Sequence, residues 1–296
     1  MNGRTDRVAG SIGAKVGTFF GRGVNFATNG SDSGAKSSEG VVMKLRKLLI
    51  PAVVFSFALA IAAVPGFAIS KEFNQSYTLQ PGGTFELQNV NGTVEVQGWD
   101  KDVVEVRAVK TAKVREADLE RVTIDVQASP AGVAIMTRYP QNEGVEVAVE
   151  YTIHVPHGAK VEHLGTVNGT LRVAGVSEVD ELRTVNGNIE VYEADSEVHA
   201  HTTNGNVHLE LSHVHGVTGT VAETTNGSVV LAVPANAQAD LEARCLNGNF
   251  QSELPFAMEG SLKPREIHGK LGRGGSPIKL HTINGGIRVV ALRTTV

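Results

Sequence analysis

The chain predicts an all-β protein, a β-solenoid (single-stranded β-helix-like) of 18–22-residue coils with wider, less regular N-terminal coils. Two observations predict it. Seven Asn-Gly pairs recur, at Asn91-Gly92, Asn168-Gly169, Asn186-Gly187, Asn204-Gly205, Asn226-Gly227, Asn247-Gly248 and Asn284-Gly285, and the five central ones are spaced by 18, 18, 22 and 21 residues. A fixed period near twenty marks a stacked repeat, in which each unit buries its face only against its neighbours. The residues around each Asn also alternate between apolar and polar columns, the period of strands with one buried face.

In chain order, residues 1–42 are Gly/Ser-rich and without periodicity, and read as a disordered extension or as an over-long start preceding Met43. Met43-Lys44-Leu45-Arg46-Lys47 is a basic cluster, Leu48 to Ala63 an uncharged apolar run, and Gly66-Phe67-Ala68 a small-residue cleavage signal. Together 43–68 read as a secretory signal peptide. Left uncut, the same stretch is long enough to anchor the chain in a bilayer. The adhesin-like unit is then 69–296. It carries 19 Lys+Arg against 28 Asp+Glu, a net charge of −9. An acidic surface repels nucleic acid. With one cysteine, Cys245, there is no internal disulfide.

From 71 to 160 the chain is β but less regular. Thr84 to Leu87, Thr93 to Val96, Val103 to Val106, Val122 to Val126 and Val145 to Val155 read as strands, punctuated by Pro81-Gly82-Gly83 and Pro156-His157-Gly158. Arg115 to Arg121 has the one helical look. This half reads as wider coils that also cap the stack, because an open end is an unpaired edge.

The repeats proper align on the Asn. Four residues before it stand Leu164, Leu182, Ala200, Ala222, Ala243 and Leu280; two before it stand Thr166, Thr184, Thr202, Thr224, Cys245 and Thr282. Three after it come Leu171, Ile189, Val207, Val229, Phe250 and Ile287, and five after it Val173, Val191, Leu209, Leu231, Ser252 and Val289. The intervening columns are polar and face out, with opposite charges often one coil apart, as in Arg172 over Glu190. Asn-Gly is also a strong hairpin signal, which would make an antiparallel sandwich. Short strands and identical columns every ~20 residues favour stacked coils, about 4.8 Å apart, with the Asn side chains forming a ladder along one corner.

The stretches FELQNVNGTVEVQGWDKDVVEVRAV, VPHGAKVEHLGTVNGTLRVAGV, TVNGNIEV and GKLGRGGSPIKLHTINGGIRV resemble the bacterial putative-adhesin family of β-strand-repeat envelope proteins, domain of unknown function 4097. The resemblance covers 72–293. It implies an exported, envelope-associated protein, and it carries no catalytic residue to transfer.

No catalytic constellation and no cofactor motif stands out. His199, His201, His208, His213 and His215 crowd into seventeen residues and are weak metal candidates, since His-x-His on a strand puts both rings on one face. Without a completing ligand set they read as solvated polar columns. Asp180-Glu181 and Glu193 to Glu197 offer carboxylates but no isolated pair of the kind glycoside chemistry needs. Trp99 reads as a packing anchor, Asp100 and Asp102 as turn residues, Cys245 as a small buried residue, and Gly272-Arg273-Gly274-Gly275 as a crossover into the last strand. The sequons at Asn74, Asn91, Asn168 and Asn226 mostly coincide with repeat turns.

The function expected is a noncatalytic, exported cell-envelope module, structural or adhesive, periplasmic or at the cell surface. The alternatives are a carbohydrate-active β-helix enzyme and a membrane-anchored envelope sensing domain. The expected partner is an envelope component or another protein, or a second copy through the C-terminal strand from Gly286 to Val296, taken as an open edge. No nucleic acid is expected, and membrane contact only if the N-terminal segment stays uncleaved.

Overall fold

The computed structural model describes residues 69–292 apart from 142–143, 196, 215, 218 and 259–264. The extension 1–42, the expected signal peptide or membrane anchor 43–68 and His215 lie outside the described residues. The alternating apolar columns form strands that assemble into two sheets, a first of ten strands and a second of eleven; the sole α-helical turn among the described residues is Asp118–Arg121.

Each repeat places one strand in each sheet, on either side of its Asn-Gly. Glu178–Arg183 belongs to the second sheet and Ile189–Ala194 to the first. Neighbouring repeats pair in parallel and in column register: Leu182 lies opposite Leu164 and Ala200, and Val191 opposite Val173 and Leu209. The backbone therefore passes from one sheet to the other at each Asn-Gly and does not turn back within a sheet, which rules out an antiparallel meander for the repeats. Between the sheets the inward columns close a single core, with Leu164, Leu182, Ile189, Leu209 and Leu231 fully buried.

Space and sequence order the coils differently. Along the stack they run 132–156, 84–99, 160–174, 178–194, 199–211, 220–233, 276–291 and 239–252, eight coils among the described residues. Two of the eight are out of chain order. Ser276–Asn284 slots between Thr220–Asn226 and Ala239–Asn247, and Ile287–Ala291 between Val229–Val233 and Phe250–Ser252. The expectation that the C-terminal strand is an open edge is thus corrected: Ile287–Ala291 is paired on both sides, and the first sheet ends at Phe250–Ser252.

Column composition explains the order. The 276–291 coil supplies Leu280, Thr282, Ile287 and Val289, a full interior set, all buried. In the 239–252 coil the template is broken by Cys245, Phe250 and Ser252. Phe250 is half-buried and its ring sits 5.7 Å from that of Phe256. A terminal repeat needs one good face only, so the degenerate copy caps the stack. The same holds at the other end, where the 132–156 coil lacks Asn-Gly and the regular 84–99 coil lies inside it.

The N-terminal half is also corrected in part. Its end cap is not made of wider coils but of antiparallel strands: Ile69–Thr78 on Val103–Ala112 on Val147–Pro156 in the first sheet, and Thr123–Ser129 on Gly132–Arg138 in the second. The Asp118–Arg121 turn plugs the core with Leu119, and the buried Lys110 ammonium donates to the carbonyls of Leu119 (2.6 Å) and Val122 (2.9 Å). At the far end Glu266–Leu271 and Phe256–Met258 add antiparallel strands to the second sheet.

Candidate functional site

Two features recur on every interior coil: a corner built on Asn-Gly, and outward rows on both sheets. At the corner, in the stacking order 91, 168, 186, 204, 226, 284 and 247, each Asn after the first donates its amide to the Oδ1 of the one before it, at 2.7–2.8 Å. Beneath it the buried threonines donate to the glycine carbonyl of the adjoining coil: Thr184 to Gly169 (3.0 Å), Thr202 to Gly187 (2.9 Å), Thr224 to Gly205 (2.8 Å) and Thr282 to Gly227 (2.8 Å). The Thr column was read from the sequence as small and inward; its polar task was not.

The glycine requirement also has a different cause from a hairpin's. A Cβ on Gly187 would lie 1.9 Å from the Gly169 carbonyl oxygen, and one on Gly205 1.9 Å from that of Gly187. These two glycines do not adopt a left-handed backbone. Coils approach so closely that no side chain fits, which is the second use of glycine beside conformational freedom.

The outward rows carry charge. On the first sheet Arg172 meets Glu190 at 2.8 Å, as the column alignment predicts, and this bond holds the Arg172 guanidinium above its ordinary range. On the second sheet Glu181 contacts Arg183 and His163; burial opposes its ionisation, but these partners leave its carboxyl below the usual value. Both are partly exposed pairs, worth about 0–1 kcal/mol each. Their main effect is register.

The histidines do not converge. His199 and His201 lie on the outer face of the second sheet, where His199 meets Asp180 (3.2 Å) and the Gly219 carbonyl (3.1 Å), and His201 meets Glu223 (3.3 Å). His208 lies on the first sheet, 2.9 Å from Glu210 and with its ring 5.5 Å from that of Tyr192. His213 follows that strand and contacts Asp195 at 2.9 Å. Among the described residues no three His, Cys, Asp or Glu side chains come together as a metal-holding group. Sequence crowding misleads here because His199 and His208 fall on opposite sheets. Of the carboxylates, Asp180 and Asp195 are engaged by His199 and His213, and Glu181 by Arg183 and His163.

The remaining candidates are structural. Trp99 donates from Nε1 to the Val103 carbonyl (2.9 Å), stacks on His154 (centroids 4.9 Å) and holds the Lys101 ammonium 4.2 Å from its ring, so it locks the turn containing Asp100 and Asp102. Cys245 is buried in the Thr column, and burial pushes its thiol above the ordinary value. Sequence reading missed a shallow trough of about 430 Å³ on the first sheet, lined by Asn188, Glu190, Tyr192, Asn206, His208 and Ser228. Its floor is a second ladder: Asn188 Oδ1 accepts the Asn206 N–H (2.9 Å), and Asn206 Oδ1 accepts that of Ser228 (2.8 Å). The signal was present two residues after four of the seven repeat Asn residues, where Asn188, Asn206, Ser228 and Asn249 stand.

A family profile described as Toastrack DUF4097 matches residues 81–290, most of the chain and all of its repeats. The chain belongs to the Toastrack family. Among solved structures, the Toastrack chain is similar to a "putative cell adhesion protein" of Clostridium sporogenes, at 11% identity and a TM-score of 0.41, covering 75% of this chain and 100% of that one. It is similar also to a "putative adhesin" of Bacteroides fragilis, at 13% identity and 0.30, covering 75% and 97%. A third is a "putative lipid binding protein" of Parabacteroides distasonis, at 10% and 0.28, covering 77% and 98%. No match is found among curated proteins. Among the described residues no helix is long and apolar enough to cross a membrane.

Proposed function

We propose that this Toastrack chain is a noncatalytic, exported module of the cell envelope, a β-solenoid whose rigid stack presents its outer rows for structural or adhesive contact. The observation that carries the reading is the double ladder at the corner, Asn on Asn and Thr on glycine carbonyl, which ties the Asn-Gly coils to one another and leaves the outward columns at a constant repeat. Parallel, in-register pairing of the repeats supports the solenoid form. A surface so ordered offers a partner the same side-chain rows over many coils at little entropic cost on binding. The carboxylates that glycoside cleavage would recruit are tied to histidine and arginine, which favours contact over chemistry.

The trough over Asn188, Asn206 and His208 is the contact surface proposed, its partner an envelope component or another protein. The test has two arms. Fractionation of cells with mass spectrometry of the mature N-terminus is expected to find the chain outside the cytoplasm. The purified exported chain is expected to sediment with envelope material, and a variant with Asn188, Asn206 and His208 replaced by Ala is expected to lose that binding while keeping its β-sheet circular dichroism. A cytoplasmic chain, or envelope binding indifferent to those three changes, overturns the reading. Release of reducing sugar from envelope glycan would favour the enzyme alternative instead.

A further inference from the structure

The C-terminal coil reaches its place only by entering a slot. Until Ser276–Asn284 and Ile287–Ala291 arrive, Thr220–Asn226 with Val229–Val233 faces Ala239–Asn247 with Phe250–Ser252 across a gap one coil wide, and both sides present unpaired strand edges. The inserted coil mates with both. Asn284 accepts from Asn247 and donates to Asn226 in the corner ladder (2.8 Å each), and Thr282 donates to the Gly227 carbonyl (2.8 Å).

The tether of this coil is four residues, 272–275. Leu271 and Ser276 are both register partners of Ala239, so the tether steps across one whole strand. It is Gly-Arg-Gly-Gly, largely exposed, with glycine φ values of 59°, 81° and 152° at Gly272, Gly274 and Gly275. Its turn is closed by the Gly274 N–H on the Leu271 carbonyl (3.1 Å). The far side of the slot hangs on a second short connector, 234–238. Opening the slot therefore bends two surface connectors and leaves the other coils untouched.

We propose that the C-terminal coil is exchangeable between copies: the slot between the 220–233 and 239–252 coils accepts the 276–291 coil of a second copy of this chain, giving a reciprocal dimer. The occupant is set by the slot itself, since every ladder and column it offers is matched by that coil. The exchanged dimer keeps each native contact and changes only the tether, which is why such swaps cost little and respond to hinge residues. Fully extended, the tether reaches roughly 14 Å, so the two copies sit side by side with their 239–271 ends adjacent. This inference is independent of the envelope reading and stands or falls separately.

Cys245 supplies the probe, because it is the register partner of Thr282 across the slot. In a Thr282→Cys variant of the chain, oxidation after refolding links 245 to 282 within one chain when the coil is home, and between chains when it is exchanged. Refolding at roughly 1 µM is expected to give linked monomers, and at about several hundred µM a large fraction of linked dimers on a non-reducing gel; Cys245→Ser added to the variant is expected to abolish the disulfide link, and with it the dimer band on that gel, without preventing exchange. The second arm needs no disulfide. Proline fits neither the left-handed φ at Gly274 nor its N–H bond, but it suits an extended tether. Gly274→Pro is expected to raise the dimer fraction several-fold by light scattering at equal concentration. A chain that stays monomeric at every concentration in both arms, with Gly274→Pro lowering stability alone, overturns the proposal.

Discussion

At the scale of single residues, stability follows from what the corner will tolerate. Asn89 occupies the Thr column of the 84–99 coil and is 6% exposed. Its amide donates to the carbonyls of Val149 (2.9 Å), Asn91 (3.2 Å) and Gly92 (3.3 Å), while its Oδ1 is buried with no partner among the described residues. In the regular coils a threonine hydroxyl makes the equivalent bond to the adjoining coil and leaves no orphan acceptor. Asn89→Thr is therefore expected to stabilise the protein by about 1 kcal/mol, read as a higher thermal midpoint. An unchanged or lower midpoint would show that the Asn oxygen already has a solvent partner.

At the scale of elements, the end cap at the N-terminal side is the part most dependent on buried polar groups. Lys110 points inward from Val103–Ala112, and burial lowers the pKa of its ammonium; it offsets that cost by holding two carbonyls of the helical turn. Lys110→Met keeps the packed stem but orphans both carbonyls, and is expected to cost about 1–3 kcal/mol in urea melts. In the 132–156 coil the Tyr151 hydroxyl bridges to Thr137 (2.7 Å), and Tyr139 donates to the Val147 carbonyl (3.0 Å). Burial raises both phenols, Tyr139 to about 12 and Tyr151 further. The folded state thus holds these protons after the unfolded chain has released them, so stability is intact below about pH 10 and falls as pH rises toward 12. Thermal midpoints are expected to drop over that window, and Tyr139→Phe to flatten the drop. None of this cap chemistry was legible in the sequence, where Lys110 and the tyrosines fit no repeat column. The corner was, because seven Asn-Gly pairs share one set of neighbours. The histidine cluster was misleading for the converse reason: nearness along the chain says nothing about which sheet a residue faces.

At the scale of the whole molecule, register was written in the columns but the order of coils was not. Matching columns let any coil sit on any other, so the choice falls to which copies can bear an unpaired face, and the broken template of the 239–252 coil, with Ser252 where others carry Val or Leu, settles it. A stack of this kind is held by nearest-neighbour contacts, so the position of a defect should decide its reach. Gly205, in the 199–211 coil, abuts the 178–194 coil at a junction with four coils on either side, and an added Cβ would meet the Gly187 carbonyl oxygen at 1.9 Å; Gly248 lies in the terminal coil, where a Cβ would meet the Gly285 oxygen at 1.7 Å. The local clash is as severe at the end as in the middle. Gly248→Ala can be relieved by fraying one coil, whereas Gly205→Ala parts the stack into two halves, each with a new open face. By native-state hydrogen exchange, Gly248→Ala is expected to lower protection over 239–271 and spare 160–211, and Gly205→Ala to lower it on both sides of the break, with the larger fall in thermal midpoint. Equal and global losses from both changes would mean that the eight coils unfold as one unit, and that neighbour-only coupling fails for this chain.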